Sequence, residues 1–182
     1  NYRGNMGSEG REEFGGADVR DVLALIEVGK TQHWWDGKNI FMLGWSRGGM
    51  MTYRAIAEGA PLTAAAVGAG VTDAAELVAQ RPEMLQHVIA KYVPDYEGNP
   101  DVLLRERSAS CWPEKLTVPL LLLHGDADTK VDVAQARRLH NLLQQRGRTV
   151  RYVEYPGGSH GLVSHNAQVM QEVNDWFGTH MR

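Results

Sequence analysis

Three short stretches carry residue types that together could transfer an acyl group. The first is Gly44-Trp45-Ser46-Arg47-Gly48, a serine with a glycine two positions to either side. A serine hydroxyl is a weak nucleophile unless a base takes its proton, and a histidine base needs a carboxylate to orient it. The second stretch, His124-Gly125-Asp126-Ala127-Asp128-Thr129-Lys130-Val131, offers two carboxylates, and the third, Pro156-Gly157-Gly158-Ser159-His160-Gly161, offers the histidine. Serine, acid and histidine in this chain order suit a nucleophile carried on a sharp strand-to-helix turn. Such a turn is strained, and side chains at Gly44 and Gly48 are expected to collide with neighbouring backbone. The helix after it would present unpaired N–H groups and a positive dipole end. The Arg47 N–H is therefore expected to be an oxyanion donor.

The elements needed to bring these pieces together can be read from periodicity. Val19, Val22, Leu23 and Ile26 stripe a helix over Asp18 to Lys30. Asn39 to Leu43 reads as a strand buried on both faces, and a helix is expected from about Met50 to Glu58. Thr63 to Val67 reads as a second strand. Asp73 with Glu76 resembles a capping box for a helix running towards Tyr92 with a break at Pro82, and loop and short helix follow from Pro94 to Pro113. Pro119 to Leu123 is the clearest strand. Asp132 with Gln135 again resembles a capping box, ahead of a helix striped by Val133, Ala136, Leu139 and Leu143. Val150 to Tyr155 is the last strand, and Val169, Val173, Trp176 and Phe177 mark a closing helix. Strands alternating with helices predict a three-layer α/β fold, a parallel sheet of about four strands flanked by helices. Both the acid loop and the histidine loop then lie at the C-terminal ends of strands, where such sheets place their sites.

Bulk properties exclude other classes. The 182 residues are 43% hydrophobic and 23% charged, with a formal net charge of -3, which gives no basic surface for nucleic acid. No apolar run approaches the roughly 20 residues that span a bilayer. The single cysteine, Cys111, fits a reducing compartment, and a cytoplasmic address is expected. Cys111 is expected to be buried, His124 to be a satisfied and partly buried histidine, and His165 to be solvated at a helix start. One ring of the Trp34-Trp35 pair should pack inward. Asp126 is expected to serve the turn, and Arg107-Ser108 to be structural. No cluster has metal-ligand spacing, so no metal or organic cofactor is expected.

The chain resembles the catalytic domain of the prolyl oligopeptidase family, within the α/β-hydrolase superfamily. The stretches that carry the resemblance are Asn1-Tyr2-Arg3-Gly4 with Gly7, Phe14 to Val19, Gly44 to Gly49, Val118 to Asp128 with Val131, and Gly158-Ser159-His160-Gly161. The family pattern puts the catalytic acid three residues before a valine, which implies Asp128 rather than Asp126, and its histidine falls on His160. It also implies strands and a second oxyanion donor upstream of Asn1. The whole of 1–182 is accordingly expected to be the C-terminal portion of one catalytic domain. The activity implied is hydrolysis of a peptide or carboxylic ester through an acyl-enzyme; the alternatives are an esterase with no peptidase activity, or a non-catalytic fragment lacking a complete oxyanion hole. With its first strand expected to lack a neighbour, the chain should be a homo-oligomer or bound to a missing N-terminal piece.

Overall fold

Four parallel strands form one sheet in the order β1-β2-β3-β4 in a computed structural model that describes residues 2–182. They are β1 (Phe41–Trp45), β2 (Ala64–Gly68), β3 (Leu120–Gly125) and β4 (Val150–Tyr155). Around them run α1 (Asp18–Lys30), α2 (Arg47–Ala57), α3 (Ala74–Gln80), α4 (Ala90–Tyr92), α5 (Pro100–Glu106), α6 (Val133–Gln144) and α7 (Asn166–His180). The three-layer α/β architecture is as expected from the alternation of strands and helices.

The two faces of the sheet have separate cores. On one, Met51, Tyr53 and Ile56 of α2 and Leu139 and Leu143 of α6 pack on Leu120 and Leu122, and Val19 of α1 joins them. On the other, Val169, Val173 and Trp176 of α7 pack on Ala64, Ala66, Leu121 and Leu123. Burying both faces is why β2 and β3 read as unbroken apolar runs. The small side chains of β2 also let Trp176 approach closely enough to donate from Nε1 to the Ala65 carbonyl at 3.1 Å.

β1 departs from the sequence reading. It starts two residues later than expected, and it is not buried on both faces. As an edge strand it pairs only with β2 among the described residues, and Leu43 is 45% exposed. Phe41 is covered by stacking on Phe177, with ring centroids 4.7 Å apart.

Other differences are local. α2 begins at Arg47, directly after the serine, rather than near Met50. The helix after Asp73 stops at Gln80, and a π-helical turn at Leu85–Ile89 leads into α4. The side chain of Asp73 caps α3 by accepting from Glu76 N at 3.0 Å, and that of Asp132 caps α6 by accepting from Ala134 N at 2.8 Å. Gln135 does not complete a capping box. It is fully buried and accepts from the N–H groups of Thr72 and Asp73, both at 3.0 Å, tying α6 to the segment after β2.

Cys111 is exposed rather than buried, because it ends a 3-10 turn at the surface. Trp34 is exposed while Trp35 is half-buried and donates to the Asn39 carbonyl, so one ring does turn inward. Arg107 is structural: buried, it donates to the carbonyls of Phe14, Glu13 and Leu103.

Candidate active site

Ser46 stands between the last residue of β1 and the first of α2 with φ 55° and ψ −116°, outside the regions that L side chains ordinarily adopt. Its own N–H is held by the Gly68 carbonyl at 2.8 Å. The expected collisions are found at Gly44, where an added Cβ would lie 2.2 Å from the Gly48 carbonyl oxygen and 2.3 Å from Thr52 Oγ1. They are not found at Gly48, where a Cβ would meet nothing within 4 Å. The tight position is instead Gly49, whose Cβ would come within 2.5 Å of Val67 Cγ1 and 2.8 Å of Gly70 Cα. The helix packs directly on β2 at that point, which spacing around the serine could not reveal.

The acid and histidine loops press together backbone on backbone. A Cβ on Gly125 would sit 2.0 Å from the Gly158 carbonyl oxygen, and Gly158 O accepts from Ala127 N at 3.0 Å. Asp126 serves this junction, accepting from Gly157 N at 2.6 Å. Asp128 instead turns inward. Its Oδ1 accepts from the N–H groups of Lys130 and Val131 at 2.8 and 3.1 Å, and its Oδ2 lies 2.8 Å from His160 Nδ1. His160 Nε2 in turn lies 2.9 Å from Ser46 Oγ. The three residues named from the sequence thus form one continuous hydrogen-bonded line, drawn from three loops more than 30 residues apart in the chain. The side chain of Trp45 steadies the histidine loop by donating to the His160 carbonyl at 2.9 Å.

The charge on Asp128 is set by this surrounding. Burial alone would raise its pKa, but hydrogen bonds from His124, His160, Lys130 N and Val131 N hold it well below the usual carboxylate range. His124 is more than the partly buried, satisfied side chain expected. It is fully buried, with Nε2 3.0 Å from the Val131 carbonyl and 3.1 Å from Asp128 Oδ2, while Nδ1 has no partner. Its position four residues before the acid was the available signal. His165 is half-buried ahead of α7 and bonds to Ser164, taking no part in the line.

Arg47 contributes in two ways. As the first residue of α2 its N–H has no intrahelical acceptor and stands beside Ser46. Its guanidinium points elsewhere, to Glu12 and, at 3.0 Å, to the fully buried Asp18, while covering the Tyr2 and Phe14 rings. This anchors residues 2–18 against the elbow. Beside Ser46 and His160 opens a cavity of about 290 Å³. Phe14, Val71, Leu77, Met84 and Val131 make it apolar, and Arg81 and Lys130 also line it. Among the described residues no group of three His, Cys, Asp or Glu side chains could hold a metal ion, and no helix is long and apolar enough to cross a membrane.

Known proteins resemble this chain in sequence and in fold. The chain is 27% identical over 183 residues to the uncharacterized peptidase YtmA of Bacillus subtilis, covering 96% of this chain and 68% of that protein. It is 25% identical to the human acylamino-acid-releasing enzyme, covering all of this chain but 27% of that protein. Among solved structures, a puromycin-hydrolyzing peptidase of Mycobacterium tuberculosis superposes with TM-score 0.72 at 24% identity, over 82% of this chain and 23% of that one. The acylaminoacyl peptidase of Pyrococcus horikoshii gives TM-score 0.71 at 22% identity, over 81% and 24%. The chain therefore spans about a quarter of most of these relatives and two thirds of YtmA. The α/β-hydrolase fold is shared with these structures. The prolyl oligopeptidase family profile matches residues 3–182, and the chain belongs to that family.

Proposed function

We propose that this protein cleaves peptide bonds through an acyl-enzyme formed on Ser46, with His160 as general base and acid and Asp128 as its orienting carboxylate. The observation that carries this reading is the unbroken line Asp128 Oδ2–His160 Nδ1–His160 Nε2–Ser46 Oγ, with links of 2.8 and 2.9 Å, ending at a strained serine. His160 Nε2 accepts the hydroxyl proton as Ser46 Oγ attacks the carbonyl carbon. The ionised Asp128 holds the Nδ1–H tautomer and stabilises the imidazolium that forms. The Arg47 N–H donates to the oxyanion of the tetrahedral intermediate, and His160 then returns the proton to the leaving amine. Water attacks the acyl-enzyme by the same route in reverse.

The apolar walls of the cavity beside Ser46, from Phe14, Val71, Leu77, Met84 and Val131, favour an apolar side chain on the acyl side of the scissile bond. We further propose that the open edge of β1 is covered in the working protein, by a second copy or by another polypeptide segment, since an apolar edge with unpaired backbone groups is a template for pairing.

A fluorophosphonate probe followed by mass mapping tests the nucleophile. An adduct on Ser46 is expected, and an adduct on Ser108, Ser110, Ser159 or Ser164 would overturn the assignment. A panel of aminoacyl-nitroanilides and p-nitrophenyl esters separates the reaction classes. Turnover of esters alone would replace peptidase by esterase.

A further inference from the structure

The mechanism just described leaves one titratable group at the centre of the site unused. His124 is fully buried, at the position where β3 gives way to the acid loop, and its ring stands against the catalytic carboxylate. Nε2 faces two acceptors, the Val131 carbonyl at 3.0 Å and Asp128 Oδ2 at 3.1 Å. Two acceptors around one ring nitrogen require that this nitrogen carry the proton. Nδ1, on the other side of the ring, has no partner among the described residues.

That arrangement costs stability. The positions two and four residues earlier on the same face, Leu122 and Leu120, are buried leucines. A leucine at 124 would continue the run and leave no buried nitrogen unpaired. A histidine half-satisfied in such a place is explained if the other half is needed. Asp128 Oδ1 is already engaged by two backbone N–H groups. Oδ2 bonds to His160 Nδ1 at 2.8 Å, and His124 Nε2 stands 3.1 Å from the same oxygen. The second histidine therefore fixes the rotation of the carboxylate about its Cβ–Cγ bond and removes part of the charge that His160 would otherwise feel.

We propose that His124 is a positioning residue whose Nε2–H holds Asp128 Oδ2 in line with His160 and tempers its negative charge. The proposal rests on the Ser46–His160–Asp128 reading. The other charged or titratable groups around it are few. Glu154 lies opposite in the β3–β4 register and is held by Arg137 and Tyr152. Lys130 and Asp126 are in the same loop, and Asp126 is turned to Gly157. None replaces a donor to Oδ2.

The test compares His124→Leu, which removes the donor, with His124→Gln, which can keep an N–H at the same reach. In His124→Leu kcat should fall roughly 10- to 100-fold, the scale of one hydrogen bond to a charged group, with KM little changed. Its acid limb of kcat/KM should move to higher pH, because an untempered Asp128 favours the imidazolium of His160. His124→Gln should keep most of the turnover and the wild-type pH profile. Activities are normalised to the fraction of Ser46 labelled by fluorophosphonate. If wild type is not labelled at Ser46, the triad reading has failed and this proposal with it. If wild type is labelled and His124→Leu, folded, keeps turnover and pH profile, the proposal alone is overturned. Should His124→Leu not fold, nitrogen-15 NMR of the wild-type histidine rings decides. A proton on Nε2 of His124 is required, and a bare Nε2 with the proton on Nδ1 overturns the inference.

Discussion

Around Ser46 the chain is held by steric contact, and around Asp128 it is held by hydrogen bonds. The elbow has φ 55° at the serine and two glycines, Gly44 and Gly49, where a single added carbon would lie within 2.6 Å of a neighbour. The acid loop has no positive φ between His124 and Val131, yet the carboxylate has four donors. The difference follows from what each side chain must do. A nucleophile has to face the cavity where substrate arrives, so its direction is set by the backbone beneath it and by the one bond to His160. A carboxylate has to keep a charge while buried, and only donors can do that. Strain aims the serine, and solvation by the protein aims the acid.

The largest expected effect is Ser46→Ala, which should lower turnover by ~10⁶, as for other triad serines, while leaving the fold intact. Measured stability should be unchanged or higher, since alanine carries no hydroxyl into the strained turn. A variant that retained substantial turnover would show that the strain serves some other purpose. Asp128→Asn should cost roughly 10⁴ in turnover, because an amide at Oδ2 favours the wrong tautomer of His160. Asp126→Asn should cost far less, because an amide oxygen can still accept from Gly157 N. Reversed effects in these two assays would move the acid to Asp126.

The same carboxylate gives a sign for pH. Its folded pKa lies below the ordinary carboxylate value of 3.8. Its ionised form therefore contributes stability above that value, and the contribution is lost as pH falls through the folded pKa. Denaturant unfolding of wild type and Asp128→Asn should show a difference that shrinks steadily below about pH 4. A difference that grew on acidification would contradict the hydrogen-bonded picture of the loop.

The elbow is sharpened by a pair of conservative changes. Gly49→Ala should destabilise by about 1–3 kcal/mol or more, through contact with Val67 and Gly70. Gly48→Ala, with open space at its Cβ, should be neutral or stabilising by up to about 1 kcal/mol. Thermal unfolding of the two variants tests which glycine the turn requires. The smallest effect belongs to the edge of the sheet. Leu43→Lys, at a position already 45% exposed, should change stability by less than about 0.5 kcal/mol. It should still reduce any self-association through β1, read by size exclusion with light scattering, and unchanged association would place the contact elsewhere.

Much of this protein was legible before its structure. The strand at Leu120–Leu123, the stripes of α1 and α6, and the order of serine, acid and histidine loops are local patterns, because burial on one or both faces selects residue types at fixed spacing. The family resemblance added the choice of Asp128 over Asp126, which composition of the loop alone left open. Cys111 and Gln135 were misread for one reason. Their types suggest a small apolar residue in the core and a capping partner, whereas their neighbours in space, a surface turn and the backbone after β2, are set by distant parts of the chain.

What tertiary structure alone decided is where two backbones touch and which groups share a partner. Gly49 against β2, Gly125 against Gly158 and β1 at the open edge are consequences of packing between segments far apart in sequence. So is the second imidazole on Asp128, since a hydrogen bond needs distance and direction, and a sequence carries neither. The sequence by itself determined which side chains could do the chemistry and in what order the elements carry them. The fold decided which of those groups meet, because contact energies act only over a few ångströms and the chain must close to bring them within reach.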